Sequence, residues 1–559
     1  MSSQSTLVVP PVRRPSFSPT RLGSLLCSAG LMLLAPGTAP AQETDRATAP
    51  ARVFEIRGFD IVDDAGLLDE GLRQQIQAEF DAARGHDRDV AGITAARLAA
   101  QAAADRARPG RLVVNVPEQT LQGGRVRVVV AATPGVRVGR VEALGDNGFD
   151  AANVRTSVPA LTEGVDLDAD ALDRQLRLGE LHPFKRTNVT FGLQPDGTPV
   201  ALVKAQAERS RVAYATLDNY GPRGSRERVG AGFVDGNLTS RDDVLSLSAT
   251  MADPRRFKAV AASYTLPFYR YGQMLELAAA RSESDSANTV DLFHINGTGT
   301  AASARWLYLL PRWSDTNLRL TAGYLYHRVK NNVTFQALPH TGSLLPSGAT
   351  APLSLGVEGD WRPAGLPALV KGALGVSRNF AGQLGSSSRQ QLDTIRRGAG
   401  SFTLLGSRLQ LDSEFTHGWQ LRAAAQGQYT RDALTAADQM NVSGPYAVRG
   451  LRDTGLLGDR ALVLNLEATT PPLAQFHQDG ATVPTTLRGW GFVDWGTARR
   501  NQALVGELAK ADIASTGAGL KIAGSRGNID IYLARRISGL PHDTSKSRHS
   551  LWFTALMRF

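Results

Sequence analysis

The sequence predicts a membrane all-β protein, a 16-stranded transmembrane β-barrel preceded by two small α+β modules. Three observations predict it. From Arg211 to Phe559 no run stays apolar for the length a membrane-spanning helix needs; segments of about ten residues alternate in polarity instead, with aromatic residues near their ends and turns rich in Gly, Asp, Asn and Ser. Ahead of that region, strands and helices follow one another in the same order twice. The chain opens on what reads as an export signal.

Residues 1–41 contain Arg13, Arg14 and Arg21 and no acidic residue. An apolar run from Leu22 to Leu34 follows, and Ala39-Pro40-Ala41 places small residues at the two positions a signal peptidase reads. Such a run is too short and wrongly flanked for a spanning helix. Removing it takes three positive charges from the formal +10 and leaves +7. That modest surplus suits anionic lipid headgroups or polypeptide and gives no argument for nucleic acid. The one cysteine, Cys27, lies inside the apolar run, so the remainder has no disulfide and no thiolate metal site.

Residues 42–50 read as a short polar linker. In the first module, 51–131, Val53, Ile56 and Phe59 open a strand, and Leu67–Arg84 reads as a helix with Leu68, Leu72, Ile76 and Phe80 on one face. A second, alanine-rich helix spans Ile93–Arg106. Strands Leu112–Val116 and Arg125–Ala131 flank a Gly123-Gly124 turn. The second module, 132–208, repeats the order: strand Arg137–Leu144, helices Ala151–Val158 and Leu167–Leu178, then strands Asn188–Gln194 and Val200–Ala207 around Pro195-Asp196-Gly197. A small sheet with helices on one face leaves an edge to which an extended peptide can add.

The barrel region, 209–559, divides into strands near 212–219, 227–236, 243–252, 257–265, 273–283, 291–309, 316–330, 350–360, 368–378, 398–411, 417–430, 460–468, 486–495, 514–523, 527–535 and 549–559, with 291–309 long enough for two. On the last strand Leu551, Phe553, Ala555, Met557 and Phe559 share a face. An even count puts the connection after the eleventh strand on the outer side. That connection, 431–459, is too long for a hairpin turn and so reads as functional. It carries Gly444-Pro445-Tyr446-Ala447-Val448-Arg449-Gly450-Leu451. On the thirteenth strand Arg488, Trp490, Phe492 and Asp494 alternate with Leu487, Gly489, Gly491, Val493 and Trp495. Charge on a lipid face is costly, so the set with Asp494 should face the lumen. A loop folding inward could then pair Arg449 with Asp494 in a charge-assisted hydrogen bond.

These features together resemble the two-partner secretion transporters (TpsB, the haemolysin secretion/activation type) of the Omp85 superfamily. Pro109-Gly110-Arg111-Leu112, Val116-Pro117-Glu118-Gln119 and Gly124-Arg125-Val126-Arg127-Val128 look like the family's first POTRA domain. Leu181-His182-Pro183-Phe184-Lys185 with Pro195-Asp196-Gly197 looks like the second. Asp218-Asn219-Tyr220-Gly221 and Tyr264-Thr265-Leu266-Pro267 are similar to its early barrel strands. Val448-Arg449-Gly450 resembles the tip motif of the sixth extracellular loop, and Gly491-Phe492-Val493-Asp494-Trp495-Gly496 resembles the family's Gly-Phe-x-Asp-x-Gly strand. The resemblance implies that Arg449 and Asp494 pair inside the barrel and are needed for secretion. It implies an outer-membrane location with the POTRA domains in the periplasm, and a terminal Phe559 read by the outer-membrane assembly machinery. The position after Val-Arg-Gly is usually aromatic in the family; Leu451 there weakens the expected packing of the tip. Many such transporters carry a plug helix before the first module, and 42–50 leaves little room for one: either the plug is absent, in which case the loop alone closes the resting pore, or cleavage falls elsewhere than after Ala41.

No His-Glu-x-x-His, Cys-x-x-Cys, Gly-x-Ser-x-Gly or phosphate-binding glycine loop is present, and the histidines show no metal-ligand spacing. No enzyme activity, cofactor or metal is therefore expected. The expected partners are a large secreted exoprotein, such as a haemolysin or adhesin, and the surrounding lipid. The alternatives are an assembly factor that inserts other barrels, against which two modules rather than a longer string argue, and a passive porin.

Overall fold

The computed structural model describes residues 54–559 apart from 64–65, 89, 108–111, 118–123, 133–137, 194–198, 222–225, 254–256, 286–292, 313–315, 336–346, 364–365, 452–455, 477–483, 504–506 and 539–547. The predicted signal and linker, and the turn at Pro195-Asp196-Gly197, lie outside the described residues. The described residues form two compact bodies, one of 54–138 with 164–167, the other of 139–163 and 168–559.

In the first body Gly58–Val62, Arg125–Ala132 and Leu112–Asn115 form a sheet with Arg125–Ala132 in the centre, parallel to the first strand and antiparallel to the last. Helix Glu70–Asp81 buries Leu72, Ile76 and Phe80, which pack with Phe59, Val114, Val126 and Val128. The helix starts later than its apolar period suggests. Asp69 caps it by accepting from the Leu72 amide, while the amides of Leu67 and Leu68 donate to the Asp63 carboxylate at 2.8 and 2.9 Å. Gly85–Arg88 forms a strand against Phe54–Ile56 that its polar residues gave no sign of.

The second body contains the second module and the barrel. Pro199–Ala207 lies between Arg140–Leu144 and Lys185–Leu193, and helices Ala151–Thr156 and Ala169–Gly179 begin at the caps Asp150 and Asp168. Sixteen principal strands then close the barrel: β1 (Arg211–Asp218), β2 (Arg228–Asp235), β3 (Val244–Ala252), β4 (Phe257–Phe268), β5 (Gln273–Asp285), β6 (Phe293–Leu309), β7 (Thr316–Phe335), β8 (Leu353–Trp361), β9 (Ala368–Asn379), β10 (Phe402–Glu414), β11 (Gln420–Tyr429), β12 (Arg460–Thr469), β13 (Thr485–Arg499), β14 (Lys510–Gly524), β15 (Gly527–Arg536) and β16 (His549–Arg558). Two short segments, Gly348–Thr350 and Ala474–Phe476, extend the pairing of β7 and β13. Within the stretch expected to hold one or two strands, Phe293–Leu309 is one strand, in register with β7 along its length. β10 starts later than expected because helix Arg389–Ile395, capped by Ser388, occupies the connection before it.

Alternation sorts the wall. On β15 Asn528, Asp530, Tyr532 and Ala534 are buried while Ile529, Ile531 and Leu533 are exposed. Exposed apolar rows of this kind run along most strands, an arrangement suited to lipid and costly in water. Among the described residues no helix is long and apolar enough to cross a membrane. β16 closes on β1 from Thr554↔Asp218 to Arg558↔Tyr214, and the Asn219 side chain extends the seam by donating to Leu551 O and accepting from the Phe553 amide.

The second module is fastened to one mouth of the barrel by Lys185. Its Nζ, fully buried, donates to Asn153 Oδ1, Ser157 Oγ and both oxygens of Asp242 on the β2–β3 hairpin, and Tyr269 donates to the same carboxylate at 2.7 Å. Removing one partner of such a buried pair costs roughly 3–5 kcal/mol. Beside it, His182 Nδ1 accepts from the amides of Phe184 and Lys185, so Nε2 carries the proton and donates to Gly236 O at 2.7 Å. Burial pushes this ring down to about 4, outweighing the attraction of Asp242. The unfolded ring takes up its proton near 6.5. The stabilisation from the neutral ring is therefore complete above about pH 6.5 and is lost as pH falls towards 4, by up to about 3 kcal/mol. Hydrogen exchange across residues 182–186 and 236–243 should accelerate over that window, and His182→Gln should flatten the dependence; an unchanged pH slope in the variant contradicts the assignment.

Candidate functional site

The connection between β11 and β12 leaves from the mouth opposite the second module and folds back into the barrel. Met440–Asn441 pairs with Leu457–Gly458, and the Val442 amide donates to Leu456 O, so the connection is a hairpin rather than an open loop. Its base hangs on buried Asp459, which accepts from the Leu434 amide, Gln439 Nε2 and the Asn501 amide. At the tip Gly444, with φ of 102°, permits the reversal through Pro445 and Tyr446, and the Val448 amide returns to Val442 O at 3.1 Å.

The reversal delivers Arg449 to the inner wall. Its backbone amide and Nε donate to Asp494 Oδ2 at 3.0 and 2.8 Å, and Nη2 donates to Oδ1 at 2.5 Å. Nη1 donates to Glu467 Oε1 on β12 at 2.5 Å. Asp494 is fully buried and also accepts from Asn465 Nδ2 (2.8 Å) and Ser515 Oγ (3.2 Å). The guanidinium lies over the Phe492 ring, 3.6 Å from its centroid, and Trp490 stands 5.3 Å away. Trp552 Nε1 on β16 donates to Arg449 O at 2.8 Å. Lys521 stands 3.8 Å from the other oxygen of Glu467, and Asp530 is the register partner of Lys521 on β15. Every charge here has an opposite within reach, the condition for keeping ions in a place with little water.

An apolar cluster accompanies the ions. Val448, Leu451, Met440 and Val442 pack with Ala461, Val463, Ala498 and Ile513 of the wall. This corrects the expectation that Leu451 weakens the tip: it is buried, and the wall residues it meets are aliphatic.

Residues 196–522 match the family described as haemolysin secretion/activation protein ShlB/FhaC/HecB. The chain belongs to that family. It is an outer-membrane β-barrel transporter of the two-partner secretion type, and it serves the export of a partner exoprotein. The ShlB/FhaC/HecB fold is seen in CdiB from Escherichia coli, 15% identical, covering 96% of this chain and 94% of that one with a TM-score of 0.70. CdiB from Acinetobacter baumannii, also 15% identical, covers 96% of each chain with a TM-score of 0.63. No curated protein matches the sequence.

Of the motif residues expected in this transporter, Val448, Arg449, Phe492 and Asp494 come together at one place. A Cβ on Gly450 would lie 2.6 Å from Ser515 Cβ and 3.0 Å from the Arg536 backbone, and one on Gly496 would lie 2.9 Å from Val448 Cγ2. Both glycines let the tip approach the wall. Gly491 has no such contact, its nearest neighbour being Gly517 O at 3.6 Å. Phe559 is apart from the site, exposed at the seam with its amide on Ala213 O. Sequence reasoning missed Asn465, Glu467, Ser515 and Trp552. Asn465 and Glu467 alternate with Leu462, Leu464 and Leu466, and Trp552 falls on the opposite face from Leu551, so the same alternation that placed Asp494 pointed to them.

Gly450→Ala should lift the tip at an overpacking cost of about 1–3 kcal/mol. Hydrogen exchange at Val448–Leu451 should then run about tenfold faster than in the unsubstituted protein, with β12 and β13 still protected; unchanged protection at the tip contradicts the fit described here.

Proposed function

We propose that the Arg449–Asp494 pair is the latch of the export channel, closed at rest and displaced while the partner polypeptide passes. The observation that carries this reading is the extent of the pairing: the arginine engages its backbone amide and all three guanidinium nitrogens with two wall carboxylates. A loop held this way is bistable. Docked, its charges are satisfied; withdrawn, water must enter to solvate Asp494 and Glu467. An extended polypeptide in the lumen supplies peptide groups and water that lower that cost.

In this reading the two modules are the POTRA domains, spanning 51–131 and 132–208 and lying in the periplasm, and they receive the partner first. Their sheets end in Gly58–Val62 and Leu112–Asn115, and in Arg140–Leu144 and Lys185–Leu193, which offers strand addition to an unfolded segment. The lumen then passes the chain outward, and folding of the partner outside biases the direction. Phe559, at the end of an outward apolar row, serves recognition by the assembly machinery.

Arg449→Ala and Asp494→Asn should each leave an inserted barrel whose loop docks less firmly, since each leaves a buried charge without its main partner at a cost of roughly 3–5 kcal/mol to docking. Planar-bilayer recordings without partner should show each variant open at least about tenfold more of the time than the unsubstituted protein, with a heat-modifiability assay checking that the barrel is intact. Unchanged conductance in both variants contradicts the latch.

A further inference from the structure

On the outer wall, at the mouth from which the loop descends, the apolar rows of adjacent strands end in cations. β12 presents Leu466, Leu464, Leu462 and then Arg460; β13 presents Val493, Trp495, Thr497 and then Arg499. Arg460 is the register partner of Arg499, and Arg499 is the partner of Lys510 on β14. Neighbouring strands lie about 4.8 Å apart, so three cations stand side by side within about 10 Å. Like charges directly opposite one another destabilise a sheet. Arg499 and Lys510 are exposed, and a depression of about 360 Å³ opens at this row. Its lining includes Arg460, Arg499 and Lys510, one carboxylate, Asp512, and the apolar Leu462 and Trp495. Asp512 is engaged by Lys510 at 2.7 Å, and Arg460 is held upright by Thr430 O and the Tyr429 ring. The row keeps a net charge of about two, just above the level where Trp495 marks the lipid interface.

We infer that Arg460, Arg499 and Lys510 form a binding site for the phosphate of a phosphorylated glycolipid in the outer leaflet. Arginine forks chelate phosphate oxygens in pairs, and lysine adds a point charge. The acyl chains of the same molecule lie along Leu462, Leu464, Trp495 and Val493. A bound phosphate removes the repulsion that the register builds in. The site rests on the membrane placement of the barrel but not on the latch, so its failure leaves the export mechanism standing.

The test uses the full-length protein in detergent and native mass spectrometry with bis-phosphorylated lipid A, its dephosphorylated form and inorganic phosphate. The combined Arg460→Gln, Arg499→Gln and Lys510→Gln protein should bind lipid A at least tenfold more weakly, and dephosphorylated lipid should bind the unsubstituted protein no better than that. Asp512→Asn, which removes the opposing charge, should bind lipid A more tightly. Equal binding by the triple variant, equal binding of the dephosphorylated lipid, or full displacement by inorganic phosphate at matched concentration overturns the site. So does weaker binding by Asp512→Asn.

Discussion

A buried carboxylate in the wall of a barrel needs a cation, and in this protein the cation arrives on a loop. Asp494 is fully buried and takes three hydrogen bonds from Arg449 alone. The length of the β11–β12 connection, the turn at Gly444, the close approach at Gly450 and the aliphatic seat around Leu451 all serve that delivery. A pair of this kind contributes little net stability, because desolvating two ions offsets most of their attraction. In the proposed latch, what it supplies is a sharp difference between two arrangements, docked and withdrawn.

The latch is also joined to the closure of the barrel. Trp552 on β16 holds Arg449 O, and its ring meets Tyr220 just beyond β1, with centroids 5.4 Å apart. Tyr220 in turn meets Tyr446 in the loop tip at 5.6 Å. Asn219, next to it, staples β1 to β16. The tip therefore touches the seam at which the first and last strands meet. At the other mouth, the buried Lys185–Asp242 pair joins the second module to the β2–β3 hairpin.

Period-two alternation made the barrel legible in the sequence, because the lipid face and the lumen face make opposite demands on successive residues. The rows on β15 and β16 needed no further information. Arg449 and Asp494 were legible as motif residues, and the lumen direction of Asp494 followed from the cost of charge on lipid. The second carboxylate, Glu467, was not singled out: its strand could be oriented, but its register against β13 could not be read from polarity alone. The helix at Arg389–Ile395 and the short strand at Gly85–Arg88 escaped for a related reason, since each is too short for a period and is set by its neighbours. His182 and Lys185 were noticed only as part of a family-like run. Their role depends on Asp242, more than fifty residues away in the chain, and nothing local marks that pairing.

The most direct measurement is a reversible tether. The chain beyond the predicted signal has no cysteine, so Val448→Cys with Gly496→Cys, positions already in contact, places a lone pair of thiols across the latch. With the disulfide formed, partner export should stop, and it should resume when the bond is reduced. Export at the reduced rate while the disulfide is intact would contradict the claim that the loop must leave the wall for the partner to pass.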